Sequence, residues 1–379
     1  MQQFLTIVLD RKCLKGLILD LRGNPGGLLT SAVDVTSLLV PKGSDIVSAR
    51  GRGFPGVTYK SRVDPILNPK TKLAVLINDS TASAAEIVSG AVQDLDVGVI
   101  VGSGRTYGKG LVQNVETLPF NTALKFTVAK YYTPSGRCIQ STNYSNGAGL
   151  GTDGKYKSSK VAEKDKKIFF TTNGREVKDG GGVAVDYKIE TPKASALEVT
   201  LIRSNVVSEF AAEWSKTHEL TNNFAVDDNL YREFQSYVMK QAKSGDLKLD
   251  ALYSSPINDL KKSLERSGYK GSTKELEQLQ ASIMQDMTKD FDKYKSDIKE
   301  DVAIGILQRY LPESMLIDRS IQTDKQVLGA LKIFGNQSQF NKLLARNSEN
   351  KVQEKSGVLA ESNINPNTDT PGAKMSMKF

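Results

Sequence analysis

The chain has 379 residues, more than one hydrophobic core comfortably serves, so two domains or one domain with a substantial appendage are expected. Its 39% hydrophobic and 25% charged residues are ordinary for a globular protein, and the net charge of +8 is dispersed among many Asp and Glu. No basic block interleaved with aromatics appears, which argues against nucleic acid as a partner. No apolar run approaches the ~18–20 residues of a membrane span, so no integral membrane segment is expected. The first residues lack a basic region followed by a long apolar one, and no signal peptide is read there.

In chain order, residues 4–9 make a short apolar run and residues 14–22 read as a strand. That strand ends in Gly23-Asn24-Pro25-Gly26-Gly27, where glycines permit turns and close approaches that a side chain forbids. Residues 28–39 have helical spacing and stop at Pro41, and residues 45–49 resemble a strand. The Gly- and Pro-rich residues 50–69 read as an irregular connection. Residues 73–77 are a buried strand, and the stretch 78–86 makes a tight polar turn into a helix with apolar residues at Ile87, Val88, Ala91, Val92 and Leu95. Another buried strand, 97–101, runs into the glycine-rich loop 102–110, and residues 111–118 and 124–132 alternate as strands. Residues 14–134 therefore read as a layered α/β core. Residues 143–154, rich in Gly, Asn and Ser, read as a mobile loop, and Asn173-Gly174 marks a hairpin with a type I′ turn. From about residue 194 the texture is helical, over 196–216, 228–243, 256–311 and 323–334, and the polar residues 346–379 read as a disordered tail.

Ser83 falls at the start of a helix, where unpaired N–H groups and the positive end of the helix dipole favour a developing anion. With Glu86 three residues later it also fits a capping box, a purely structural role. The single histidine, His218, ends a helix of the C-terminal region far from every glycine-rich loop, so a nucleophilic Ser83 needs a different base. A desolvated lysine can serve, and Lys109 is the candidate, flanked by Gly108 and Gly110 that let the backbone pass tightly beside another element. The same loop departs from a phosphate-binding G-x-x-x-x-G-K-[ST] pattern, because Gly110 stands where a Mg²⁺-binding hydroxyl belongs. One histidine and two distant cysteines, Cys13 and Cys138, give no metal-ligand spacing, and no cofactor is expected.

Four segments occur in order: LKGLILDLRGNPGG (14–27), STASAAEIVSGAVQD (80–94), TYGKGLVQ (106–113) and YYTPSGRCIQ (131–140). Together they resemble the carboxyl-terminal processing peptidases, also called tail-specific proteases, which are serine endopeptidases with a Ser-Lys dyad. The resemblance covers residues 14–190 strongly, and more loosely the helical part, which is similar to a C-terminal extension of some bacterial members. It implies a crotonase/Clp-protease-like layered core of strand-strand-helix units, followed by a mainly α-helical extension. On this basis residues 1–195 form the peptidase core, 196–345 the extension and 346–379 the tail.

The resemblance further makes Ser83 the nucleophile, Lys109 the general base and Gln113 the residue that holds the lysine. Backbone N–H groups of Gly27 and Ala84 form the oxyanion hole, with Gly26 shaping the turn. Implied substrates are polypeptides with apolar or unstructured C-termini, and the implied compartment is the periplasm or another extracytoplasmic space. Family members carry a PDZ domain before this core, for which this sequence leaves no room, so an N-terminally truncated core is expected. A truncated, non-catalytic relic that keeps the fold and only binds polypeptide is the alternative.

Overall fold

The computed structural model describes residues 14–143, 149–150, 156–157, 159–190, 194–221, 224–269 and 273–345. Cys13, the polar tail 346–379 and most of the Gly/Asn/Ser-rich stretch lie outside the described residues. The chain divides into two units, residues 1–187 with 333–379, and residues 188–332.

In the first unit, the apolar runs and the turns between them produce β1 (Gly16–Asp20), α1 (Leu29–Ser37), β2 (Asp45–Gly51), β3 (Phe54–Lys60), β4 (Lys72–Ile77), α2 (Ala84–Asp94), β5 (Val99–Gly102), β6 (Leu111–Leu118) and β7 (Thr122–Tyr132). Short strands follow: β8 (Thr142–Asn143), β9 (Gly149–Leu150), β10 (Tyr156–Lys157), β11 (Ser159–Lys160), β12 (Ile168–Phe170), β13 (Glu176–Lys178) and β14 (Tyr187–Lys188). One sheet has the order β1-β4-β5-β14, with β4 parallel to both β1 and β5. Residues 73–77 are all buried, as the central strand of a parallel sheet covered on both faces requires. The second sheet is antiparallel in the order β3-β2-β7-β6.

α2 packs against β5 of the first sheet and β2 of the second, and every one of its residues is buried. Small residues make this burial possible: a Cβ added at Gly90 would meet Thr133 Cγ2 at 2.9 Å. Ile46, Val75, Ile77, Ile87, Val92 and Ile100 form the heart of the surrounding apolar cluster.

Several local expectations need correction. Residues 54–60, read as irregular, form β3, an exposed edge strand in which Pro55 and Gly56 are tolerated because the outer backbone groups need no partner. The hairpin at Asn173-Gly174 exists, pairing Phe170 with Glu176, but only Gly174 has positive φ, at +79°. A type I′ turn needs positive φ at both central residues; here Thr171 and Arg175 close a three-residue loop through a 3.0 Å backbone bond, with glycine in the left-handed position. Part of the stretch read as a loop is paired, β8 with β11 and β9 with β10.

The second unit is helical: α3 (Ala196–Arg203), α4 (Val206–Trp214), α5 (Asp228–Ser244), α6 (Ala251–Arg266), α7 (Thr273–Lys293), α8 (Lys295–Leu307), α9 (Glu313–Thr323) and most of α10 (Lys325–Gly335). The single helix expected over 196–216 breaks where Asn205 adopts φ +65°. Amphipathic spacing gathers Leu197, Phe210, Phe234, Phe291, Ile298 and Val302 into one core, and Phe210 meets Phe234 edge-on with centroids 5.2 Å apart. α5 shows both helix-end signals: the Asp227 side chain accepts from Asn229 N at 2.9 Å and Leu230 N at 2.8 Å, and Gly245 ends the helix at φ +87°.

Residues 333–344, including α11 (Gln337–Leu344), belong to the first unit. Phe334 lies over β1 where Gly16 leaves room, since a Cβ at Gly16 would collide with its ring. Phe334 packs edge-on against Phe340, the Lys72 amine donates to the Phe334 carbonyl, and Asn173 Nδ2 donates to the Leu344 carbonyl at 2.7 Å.

Candidate active site

β4 ends at Ile77, and the turn that follows is tied to the Gly23–Gly27 loop by side chains that sequence alone does not pair. Asn78 Oδ1 accepts from Gly23 N–H at 2.9 Å, Thr81 Oγ1 donates to the Leu21 carbonyl at 2.8 Å, and Ala82 N–H donates to the Asn24 carbonyl at 2.9 Å. Between these ties sits Ser83, half-buried, with φ +56° and ψ −118°, a conformation that residues with a Cβ rarely adopt. Such strain persists only where the surroundings fix it, and sharp strand-to-helix turns of this kind present serine nucleophiles.

Gly26, at φ +98°, presses on this turn: an added Cβ would lie 2.6 Å from the Ala82 carbonyl oxygen and 2.8 Å from Ala84 N. Ala84 occupies the first helical position, and its N–H has no hydrogen-bond acceptor among the described residues. The same holds for Gly27, which is exposed. Two donors of the kind an oxyanion needs therefore lie on segments that touch each other.

Glu86 was legible in the sequence only as the third residue of a cap. The capping arm is present, Ser83 N–H donating to Glu86 Oε2 at 2.8 Å, but the carboxylate does more. Lys109 N–H donates to the same oxygen at 2.8 Å, while Gly108 N–H at 2.7 Å and Thr106 Oγ1 at 2.5 Å donate to Oε1. Glu86 is fully buried. Burial pushes its carboxyl up, opposed by the hydrogen bonds from Thr106, Lys109, Ser83 and Gly108. One carboxylate oxygen thus fixes the backbones of Ser83 and Lys109 next to each other.

The glycines around Lys109 have the predicted use. A Cβ at Gly108 would meet Ser141 Cβ at 2.5 Å, and one at Gly110 would meet Gln140 N at 2.8 Å. Gly110 N–H donates to Gln140 Oε1 at 2.8 Å, and Ser141 N–H to the Gly108 carbonyl at 2.9 Å. The Lys109 side chain is exposed, however, rather than enclosed in an apolar pocket. Gln113 is also exposed, on β6 opposite Thr127 and just past a register shift, and no hydrogen bond joins it to Lys109 among the described residues.

The far end of α2 is held to the same 133–141 segment. Arg137, completely buried, donates through Nη2 to Asp94 Oδ1 at 2.8 Å and Gln93 Oε1 at 2.7 Å, and Ser135 N–H donates to Asp94 Oδ2 at 3.1 Å. Beside it Arg175 donates to Asp96 and Asp186, each at 2.6 Å. Two guanidinium groups at this end also complement the helix dipole. α2 is therefore clamped to the lysine loop directly at its start through Glu86, and indirectly at its end through Arg137.

Other sequence candidates lie elsewhere. His218 is exposed in the second unit and stacks on Trp214, with ring centroids 4.3 Å apart. Cys138 is a free thiol, and burial pushes its pKa up. Among the described residues no cluster of His, Cys, Asp or Glu could hold a metal ion, and no helix is long and apolar enough to cross a membrane.

Residues 1–148 match the model of peptidase family S41. That stretch is similar to peptidase family S41. Residues 197–334 match a second model, described as the C-terminal helical domain of a probable PDZ-protease. A carboxy-terminal-processing protease of Bartonella bacilliformis is 39% identical over 189 residues, 48% of this chain and 42% of the relative. A probable CtpA-like serine protease of Staphylococcus haemolyticus is 30% identical over 256 residues, 65% of this chain and 48% of the relative. Among solved structures, a photosystem II D1 C-terminal processing protease is 40% identical over 33% of this chain and 32% of its own, with a TM-score of 0.31. The chain spans about half the length of the curated relatives it matches. The α/β core and the helical region follow one another in the order expected from the sequence.

Proposed function

We propose that this chain is a Ser-Lys endopeptidase that cleaves polypeptides near their C-termini. The observation that carries the reading is the shared carboxylate oxygen of Glu86, which brings the Ser83 and Lys109 backbones together across separate elements. In the proposed reaction Ser83 Oγ attacks the scissile carbonyl carbon while its proton passes to the neutral amine of Lys109. The carbonyl oxygen becomes an oxyanion that accepts from the free N–H groups of Ala84 and Gly27. Collapse breaks the C–N bond, the lysine returns the proton to the departing amine, and water releases the acyl group by the same route. Exclusion of water favours the neutral amine of a catalytic lysine, and a polypeptide laid over the exposed Lys109 supplies that exclusion. Gln113 is assigned to hold the lysine once substrate is bound.

Hydrolysis of an unfolded protein with an apolar C-terminus tests the reading. Ser83→Ala and Lys109→Ala should each lower kcat by about 10⁴-fold or more. Cleavage that survives both changes would overturn the dyad. The exposure of Lys109 favours the alternative of a non-catalytic relic, which binding without cleavage by the unmodified chain would establish.

A further inference from the structure

β7 pairs with β2 only through Lys130, Tyr131 and Tyr132, so residues 113–127 leave the antiparallel sheet as a two-stranded arm. Both faces of this arm are exposed. The register sets Asn114 opposite Phe126, Glu116 opposite Leu124 and Leu118 opposite Thr122, which puts Leu118, Leu124 and Phe126 on one face, each 40–51% exposed. At the tip Phe120 is 97% exposed and holds φ +62°, followed by Asn121 at φ +55°.

This is the wrong residue for folding. A tight hairpin turn with positive φ at both central positions favours Asn, Asp or Gly at the first, and a bulky side chain there is strained. A two-stranded ribbon in water likewise gains nothing from an apolar stripe with nothing on it. A physical account of the stripe and the tip therefore requires an occupant. The position of β6 says which: it continues directly from Gly110, one residue after Lys109, and among the described residues its outer edge has no strand partner.

We infer that the arm is the substrate-guiding element of this site: an extended, apolar polypeptide segment adds to the free edge of β6, lays its side chains over Leu118, Leu124 and Phe126, and is held at the far end by Phe120. Main-chain pairing of this kind accepts many sequences, while the apolar face selects segments that are unfolded and hydrophobic. From Gln113 to Phe120 at the tip the strand spans roughly 23 Å at ~3.3 Å per residue, so a bound segment of about seven residues running alongside it would reach Phe120. The assignment of the occupant rests on the peptidase reading; the arm's geometry does not.

Two fluorescent peptides with the same scissile sequence test this, one ending just beyond the cleavage site and one extended by about eight apolar residues. Their affinities are measured by anisotropy on the full chain carrying Ser83→Ala, so that no cleavage is needed. Phe120→Asn, a substitution the turn itself favours, and the double change Leu118→Thr, Phe126→Thr should weaken the long peptide about tenfold or more and leave the short one unchanged. In the chain with Ser83 intact, the same variants should raise KM for the long peptide without lowering kcat for the short one. Equal affinity of the long peptide for all variants would overturn the proposal. So would a shift in sedimentation on mutating the arm, because the occupant would then be a second copy of the chain. Arm-dependent binding with no turnover of either peptide would instead retain the arm and remove the catalytic reading.

Discussion

Ser83 and Lys109 are brought together by Glu86, a residue that takes no part in the proposed chemistry. Its carboxylate accepts four hydrogen bonds while fully buried, an environment in which a carboxylate is tolerated only when its lone pairs are used. Replacement by glutamine keeps size and shape but turns one oxygen into a donor that must face two other donors. Glu86→Gln should therefore cost about 3 kcal/mol of stability, measured by urea unfolding. It should also lower kcat about tenfold to a hundredfold, because the serine turn and lysine loop lose their common anchor. Unchanged stability and turnover would show that the four bonds are incidental. Arg137 makes a similar case without touching the candidate dyad. Arg137→Met would leave Asp94 buried without its ion pair, and about 3–5 kcal/mol should be lost.

At the scale of elements, what was legible in the sequence is what local pattern encodes. The apolar runs of β1, β4 and β5 announced strands of a layered α/β core, and the strand, polar turn and helix around Ser83 were found where spacing put them. Gly108 and Gly110 signalled a tight passage whose partner, Gln140 with Ser141, could be known only from the fold. Glu86 shows why the rest was hidden. A capping glutamate uses one oxygen locally, and nothing in the sequence states that Thr106, Gly108 and Lys109 come from about twenty residues away to share the carboxylate. β3 was missed because edge strands tolerate the Pro and Gly that usually mark loops. The arm was visible as two alternating strands, but the cost of Phe120 appears only with its φ. If that cost is real, Phe120→Asn should leave the melting temperature unchanged or raise it, by up to about 1 kcal/mol in stability, while impairing long substrates. A lower melting temperature would mean that the phenylalanine serves the fold.

Over the whole molecule, the two units place their charge differently. In the first, the buried carboxylates Asp94, Asp96 and Asp186 each face a guanidinium. In the second, Asp301 on α8 is partly buried among other acids: burial comes first, then Glu198, Asp297 and Glu300, and together they push its pKa up from 3.8 to about 6. A carboxyl whose folded pKa is raised favours the folded state fully below its unfolded pKa, and this contribution disappears as pH rises through the folded value. The helical unit should therefore lose stability between pH 4 and pH 6.5 on this account. Because Asp301 is only about half buried, solvent screening reduces the effect to roughly 1–2 kcal/mol. Asp301→Asn should stabilise the chain by about that amount at pH 7, have little effect near pH 4, and flatten the dependence between them. Circular dichroism melts that resolve the helical signal across this range, with and without the substitution, measure the difference. A parallel pH dependence in both proteins would place the titrating group elsewhere.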